Sequence, residues 1–189
     1  MGNSIFLQAF QGTNTQIPVW FMRQAGRYLP EYQALKKKHS LQKMFDTPEL
    51  AAEITCLPVG ILGVDAAILF ADILTLPARM GFDIRFDDRH GPVIGGTIVS
   101  DLRHRDDIHD ADDFSSVTKT IRLVNEQING RVPLIGFAGS PFTVLTYLLE
   151  GGSSVNFSRM FRFINEHPVH FQAWMELLTQ NTIRYLNAQ

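Results

Sequence analysis

The stretch Ala66-Ala67-Ile68-Leu69-Phe70-Ala71-Asp72 runs apolar without alternation and then ends on a carboxylate. A strand with one wet face alternates. An unbroken apolar run fits a strand of a parallel sheet covered on both faces. Two more runs share this texture, Pro18-Val19-Trp20-Phe21-Met22 and Pro133-Leu134-Ile135-Gly136-Phe137, and each leads through polar or glycine residues into a helical pattern. Upstream of the central run, Thr47-Pro48-Glu49 supplies an N-cap hydroxyl, a proline at the first helical position and an early acid, which predicts a helix from there to about Gly63. A second helix is expected from Asp113 to Ile128, stopped by Asn129-Gly130. A third, from His167 to Gln189, follows the period of Phe171, Trp174, Leu177, Leu178, Ile183 and Leu186. Phe82-Asp83-Ile84-Arg85-Phe86 and Pro92 to Val99 flank a polar turn at Asp88 to Gly91 and read as an inserted β-hairpin.

This alternation of strand and helix predicts a parallel α/β architecture. A closed (β/α)8 barrel takes about 250 residues. The 189 residues here supply only some of its units and end inside a helical pattern at Tyr185-Leu186-Asn187-Ala188-Gln189, so a C-terminally truncated chain is expected.

Composition narrows the classes. With 45% hydrophobic and 19% charged residues the chain is ordinary globular protein, not a disordered segment. No apolar run is long enough for a transmembrane helix, and Met1-Gly2-Asn3-Ser4-Ile5-Phe6 has no signal-peptide pattern. The lone Cys56 lies in an apolar helical stretch and reads as a small core residue rather than a catalytic thiol. A cytoplasmic protein is the expectation. Net charge is −2, and the one basic run, Lys36-Lys37-Lys38, closes a predicted helix where cations are favourable. That leaves no clustered basic face for nucleic acid. Arginine outnumbers lysine 12 to 5, which permits a carboxylate-binding site without locating it.

Three segments carry candidate chemistry. In Met22-Arg23-Gln24-Ala25-Gly26-Arg27-Tyr28-Leu29-Pro30, two arginines bracket a glycine directly after the first expected strand. Barrel enzymes build their sites at the C-terminal ends of strands, and glycine lets backbone approach a ligand, so this is either an anion clamp or a pair of surface arginines. Asp72 is either a carboxylate among apolar neighbours that needs a cation or donors, or the N-cap of a helix starting at Ile73; the two are compatible. Gly136-Phe137-Ala138-Gly139-Ser140-Pro141 leaves the third strand and opens a helix whose free amides suit an anion. Tyr147 lies two turns into that helix, as a core tyrosine or a site residue. It lacks the G-x-G-x-x-G dinucleotide pattern. His104 and His109 sit among Asp106, Asp107, Asp110, Asp112 and Asp113, a solvated charged loop before it is a metal site; His167 and His170 lack a zinc-site partner.

Taken together these segments resemble one family. Pro18 to Tyr32, with Arg23-Gln24-Ala25-Gly26-Arg27 at its centre, resembles the first signature of the uroporphyrinogen decarboxylases. Phe70-Ala71-Asp72-Ile73-Leu74 resembles the family's aspartate segment, and Gly136 to Thr143, followed by Thr146-Tyr147 and Glu150-Gly151-Gly152, resembles its second signature. The resemblance runs through the whole chain in order. It implies a TIM barrel, of which residues 1–189 are the N-terminal part of a single domain, forming a homodimer when full length. It implies an enzyme without cofactor or metal that decarboxylates the four acetates of uroporphyrinogen III to give coproporphyrinogen III in haem biosynthesis. Residue by residue, it implies that Arg23, Gln24, Ala25, Gly26 and Arg27 bind substrate carboxylates, that Asp72 accepts from pyrrole NH groups and is catalytic, and that Tyr147 contacts a substrate side chain. Arg23 is the positional candidate for proton donor, although guanidinium is a poor acid. The family's further serine and histidine fall beyond Gln189, which leaves an inactive fragment or interaction module as an alternative. A cobamide-dependent methyltransferase of the same fold would need zinc held by His and Cys, and Cys56 has no such partner nearby in sequence.

Overall fold

A computed structural model describes residues 4–26, 28–87, 91–95, 111 and 113–189. These form two compact units interleaved in sequence. The first draws on residues 1–71, 115–137 and Gln189, the second on residues 72–114 and 138–188.

In the first unit, helices α1 (Ile5–Gln11), α2 (Pro30–Lys38), α3 (Leu41–Asp46) and α4 (Pro48–Leu62) precede strand β1 (Ala67–Ile68). The predicted start of α4 at Thr47-Pro48 holds, and Gly63 closes it with a left-handed φ of 66°. Lys36, Lys37 and Lys38 occupy the last turn of α2, where the helix's partial negative charge favours them. Buried Ile54 of α4 joins Leu29, Tyr32 and Met44 in one core cluster; buried Ala52, also of α4, joins Ala67, Val124 and Ile128 in another. The Thr55 hydroxyl donates to Ala51 O and accepts from Phe70 N at 2.9 Å, which ties the end of the β1 segment to α4.

Helix α6 (Ser115–Ile128) ends where Asn129 and Gly130 both turn to positive φ, as their sequence signals. In chain order α6 follows α5 (Thr75–Arg79) and the strands β2 (Ile84–Asp87) and β3 (Gly91–Ile94) of the second unit, and it leads to β4 (Leu134–Ile135). Strand β4 pairs parallel with β1, Ala67 opposite Leu134 and Ile68 opposite Ile135. A mixed α/β fold with a parallel pair is therefore what the apolar runs encode, although each ladder is shorter than its run.

The run Pro18–Met22 departs from expectation. It forms no strand, and Met22 is 80% exposed. Backbone polar groups become a strand only when a neighbouring ladder takes them. Here Val19 N donates instead to the Asp65 carboxylate at 2.7 Å, and Val19 O accepts from Asp65 N.

The second unit contains α5 (Thr75–Arg79), the antiparallel hairpin β2 (Ile84–Asp87) and β3 (Gly91–Ile94), then α7 (Pro141–Glu150), α8 (Ser158–Glu166) and α9 (Pro168–Ala188). The hairpin was expected; its continuation over 96–99 lies outside the described residues, as do His104, His109, Asp106, Asp107, Asp110 and Asp112. Glu150 Oε1 accepts from the amides of Arg159 and Met160, so a side chain from the end of α7 satisfies donors at the start of α8. Helix α9 buries Trp174, Leu178, Asn181, Thr182 and Tyr185. The expected apolar stripe thus turns aside in its second half: Ile183 and Leu186 are 48% and 49% exposed, and polar residues occupy the buried face. Asn181 shows why, since its Oδ1 accepts from Ala111 N at 2.8 Å and its Nδ2 donates to Leu177 O.

Candidate active site

In the first unit, residues 22–25 form a tight turn after the exposed run. Arg23 is exposed and adopts φ 57°, a left-handed conformation that costs a non-glycine residue roughly 1–2 kcal/mol. The turn is closed by Gln24 N donating to Phe21 O and Gly26 N donating to Arg23 O at 2.7 Å. Gly26 is required for a steric reason: a Cβ there would lie 2.6 Å from Arg23 O. Ala25 is half-buried and packs against the cluster of Leu29, Tyr32, Met44 and Ile54. The Tyr28 hydroxyl donates to Gln24 O at 2.7 Å. Gln24, expected among the ligand-binding residues, has its side chain turned inward and is 2% exposed. Arg27 lies outside the described residues.

In the second unit, Asp72 is half-buried at the head of α5. Its Oδ1 accepts from Leu74 N at 2.9 Å, and its own N and O bond the Thr75 hydroxyl and Thr75 N. The expected N-cap role of Asp72 is not what forms: the helix begins at Thr75 rather than Ile73, its N-cap is Leu74 without a side-chain cap, and the Asp72 carboxylate instead holds the turn at Ile73-Leu74 that precedes it. A carboxylate fixed this way keeps one orientation without a ligand.

Gly139 brings the Asp72 turn against the start of α7. A Cβ at Gly139 would lie 2.9 Å from Ile73 Cβ and 2.7 Å from Val144 Cγ2, so only glycine permits this approach. Ser140 caps α7, its Oγ accepting from Thr143 N. Along α7, Val144, Leu145, Thr146 and Leu148 are buried while Tyr147 stays half-exposed, so Tyr147 is not a core tyrosine. The second unit thus assembles Asp72 and the helix bearing Tyr147; the Arg23 turn is built in the first.

One residue near Asp72 gave no sign in the sequence beyond its helical place. Tyr185 is 2% exposed, packs its ring 5.4 Å from that of Phe114, and its hydroxyl has no hydrogen-bond partner among the described residues. Burial pushes its pKa up to about 12, with Arg79 opposing and the Asp72 charge adding to the rise. A tyrosine at a position of helical period reads as core, and only the fold reveals that it feels the Asp72 charge.

Cys56 is half-buried in α4, and burial raises its thiol pKa against the opposing charge of Arg131, which favours the inert thiol. Among the described residues no three His, Cys, Asp or Glu side chains group as a metal site would need. Nor is any described helix long and apolar enough to cross a membrane.

The family model for uroporphyrinogen decarboxylase (URO-D) matches residues 1–189. A uroporphyrinogen decarboxylase of Carboxydothermus hydrogenoformans is 45% identical over 193 residues, covering 99% of this chain and 54% of its own length. Those of Thermodesulfovibrio yellowstonii and Geobacillus thermodenitrificans are 48% and 47% identical, over 97% and 99% of this chain and 54% and 55% of theirs. The chain thus spans about half the length of the curated relatives it matches. Among solved structures, a methyltransferase from Methanosarcina mazei superposes with a TM-score of 0.68 over 97% of this chain and 54% of its own, at 18% identity, a likeness of fold alone. Because the family model matches residues 1–189 of this chain, the chain belongs to the uroporphyrinogen decarboxylase family.

Proposed function

We propose that this chain is part of a uroporphyrinogen decarboxylase that converts uroporphyrinogen III to coproporphyrinogen III, and that its α/β fold is a portion of a TIM (β/α)8 barrel. Support comes above all from relatives of that name at 45–48% identity along nearly the whole chain. The preset Asp72 carboxylate and the glycine-closed Arg23 turn fit the chemistry. The same reading makes the whole protein a cytoplasmic homodimer that acts without cofactor or metal.

A pyrrole acetate cannot lose CO₂ unless its electron pair has somewhere to go. Protonation of the ring carbon next to the acetate-bearing one makes a cation shared with the nitrogen. The C–CO₂ bond then breaks, and its electrons form an exocyclic double bond that neutralises the ring. A proton on that methylene gives the methyl group, and loss of the proton first added to the ring restores the pyrrole. Asp72, accepting from the pyrrole NH, stabilises the positive charge as it develops; a preorganised contact of this kind contributes about 3 kcal/mol. Its hydrogen bond from Leu74 N sets the orientation in advance. The substrate carries eight carboxylates, and Arg23, Arg27 and the backbone around Gly26 bind some of them, each charge-assisted bond contributing roughly 1.5–3 kcal/mol. Tyr147 contacts a substrate side chain. The test is anaerobic incubation of the intact protein with uroporphyrinogen III and separation of the products by carboxylate number. Stepwise appearance of species with seven to four carboxylates is expected; unchanged substrate would refute the assignment.

A further inference from the structure

We propose that Gln24 is the positioning residue of the Arg23 turn, its buried amide locking Arg23 to the segment that enters β1, a role that rests on the decarboxylase reading for its catalytic consequence. The amide is bonded at both ends. Nε2 donates to Ala66 O at 2.8 Å, and Oε1 accepts from Phe21 N at 3.2 Å. Ala66 is fully buried immediately before β1, so its carbonyl needs a donor that water does not supply. Phe21 N needs an acceptor on the other side of the same side chain. Glutamine meets both demands at once; an ionised glutamate only accepts, lysine only donates, and methionine, of similar length, scarcely does either.

The main chain of Gln24 completes the lock. Its N donates to Phe21 O, and its O accepts from the Tyr28 hydroxyl at 2.7 Å. The two bonds to Phe21 bracket Arg23, whose left-handed backbone is unfavourable by itself, and the bonds to Ala66 O and from the Tyr28 hydroxyl fix the residue next to it. The exposed Phe21 and Met22 bring little packing to the turn, so on the N-terminal side of Ala25, which packs on the core cluster, the Gln24 bonds hold Arg23 against the body of its unit. The Gln24 side chain is thereby spent inside the protein and acts on substrate through Arg23.

A double-mutant cycle on the intact protein tests this, with kcat and KM measured for Gln24→Ala, Arg23→Ala and the pair. Displacing a binding group by about 1 Å can cost on the order of a hundredfold in rate. Gln24→Ala should lower kcat/KM by that order in the native background, yet by less than about threefold once Arg23 is alanine, because a positioning residue has nothing left to position. Equal losses in both backgrounds, or no loss, would overturn the proposal. Hydrogen exchange gives a second readout that needs no substrate. In Gln24→Ala the amides of Phe21 and Gly26 should lose protection while those of α4 keep theirs; uniform loss along the chain, or none, would refute the lock. Gln24→Glu adds a pH signature. Its protonated carboxyl can donate to Ala66 O and accept from Phe21 N, so protection factors should recover as pH falls through the raised pKa of a buried carboxyl. Failure to recover counts against the proposal. If native protein leaves uroporphyrinogen III unchanged while the exchange results hold, the decarboxylase reading fails and the positioning role stands.

Discussion

Asp72 commits one carboxylate oxygen to the Leu74 amide, and Gly26 admits Arg23 O where any side chain would collide. Both are local devices that fix a functional group before a ligand arrives. Gly26→Ala should therefore reduce substrate binding through a distorted turn while leaving most of the fold in place. KM should rise at least tenfold with little change in the melting temperature, and unchanged KM would show that the turn tolerates a methyl. Tyr185 makes a different prediction, in pH. Its native pKa of about 12 lies above the 10 of the unfolded chain, so the native state holds its proton longer. The stabilisation is complete below pH 10 and is lost as pH rises through 12, at up to roughly 1.4 kcal/mol per pH unit. Tyr185→Phe should flatten that alkaline edge without lowering stability at neutral pH, since its hydroxyl has no partner to lose among the described residues. Melting curves from pH 7 to about 11 measure it; an identical alkaline slope in both proteins contradicts it. Of these residues, Asp72 and Arg23 were marked as candidates because a charge after an apolar run is locally conspicuous, yet their surface and capping readings stayed open until the family resemblance was added. Tyr185 and the inward Gln24 were not legible, because which face a polar side chain takes is set by partners distant in sequence, Ala66 for Gln24 and Phe114 for Tyr185.

At the scale of elements, helix boundaries were the most readable feature. Thr47-Pro48, Gly63 and Asn129-Gly130 act through their own backbone preferences and need no tertiary partner. Strands were readable only in part. The runs at Ala66–Phe70 and Pro133–Phe137 found each other as β1 and β4, whereas Pro18–Met22 found the Asp65 side chain instead of a ladder. Helix α9 shows a subtler failure, because Asn181, Thr182 and Tyr185 rather than Ile183 and Leu186 extend its buried face. Truncation measures that face directly. Leu178→Ala should cost about 2–5 kcal/mol, and Leu186→Ala, at an exposed position, within about 0.5 kcal/mol. Equal costs in urea titrations would mean the helix is rotated from this arrangement. The exposed run makes a further prediction. Ile17, Val19, Phe21 and Met22 present contiguous apolar surface, so residues 1–189 expressed alone should self-associate, and Phe21→Ser with Met22→Lys should reduce the sedimenting mass. A monodisperse native chain would contradict it.

For the whole molecule, the family follows from the match over residues 1–189, and each of the two interleaved units is drawn from separate stretches of chain. Residues 1–71, 115–137 and Gln189 build the Arg23 turn; residues 72–114 and 138–188 build Asp72 and the helix of Tyr147. Under the proposed function, the Asp72 carboxylate assists decarboxylation electrostatically rather than structurally. Asp72→Asn keeps the side chain's shape and an oxygen for the Leu74 amide but removes the charge. The decisive measurement is kcat for uroporphyrinogen III in the intact protein and in Asp72→Asn, with the melting temperature of both. A loss of at least about a hundredfold in kcat at an unchanged melting temperature is expected, the scale of one preorganised electrostatic contact. Near-native kcat in Asp72→Asn would contradict it.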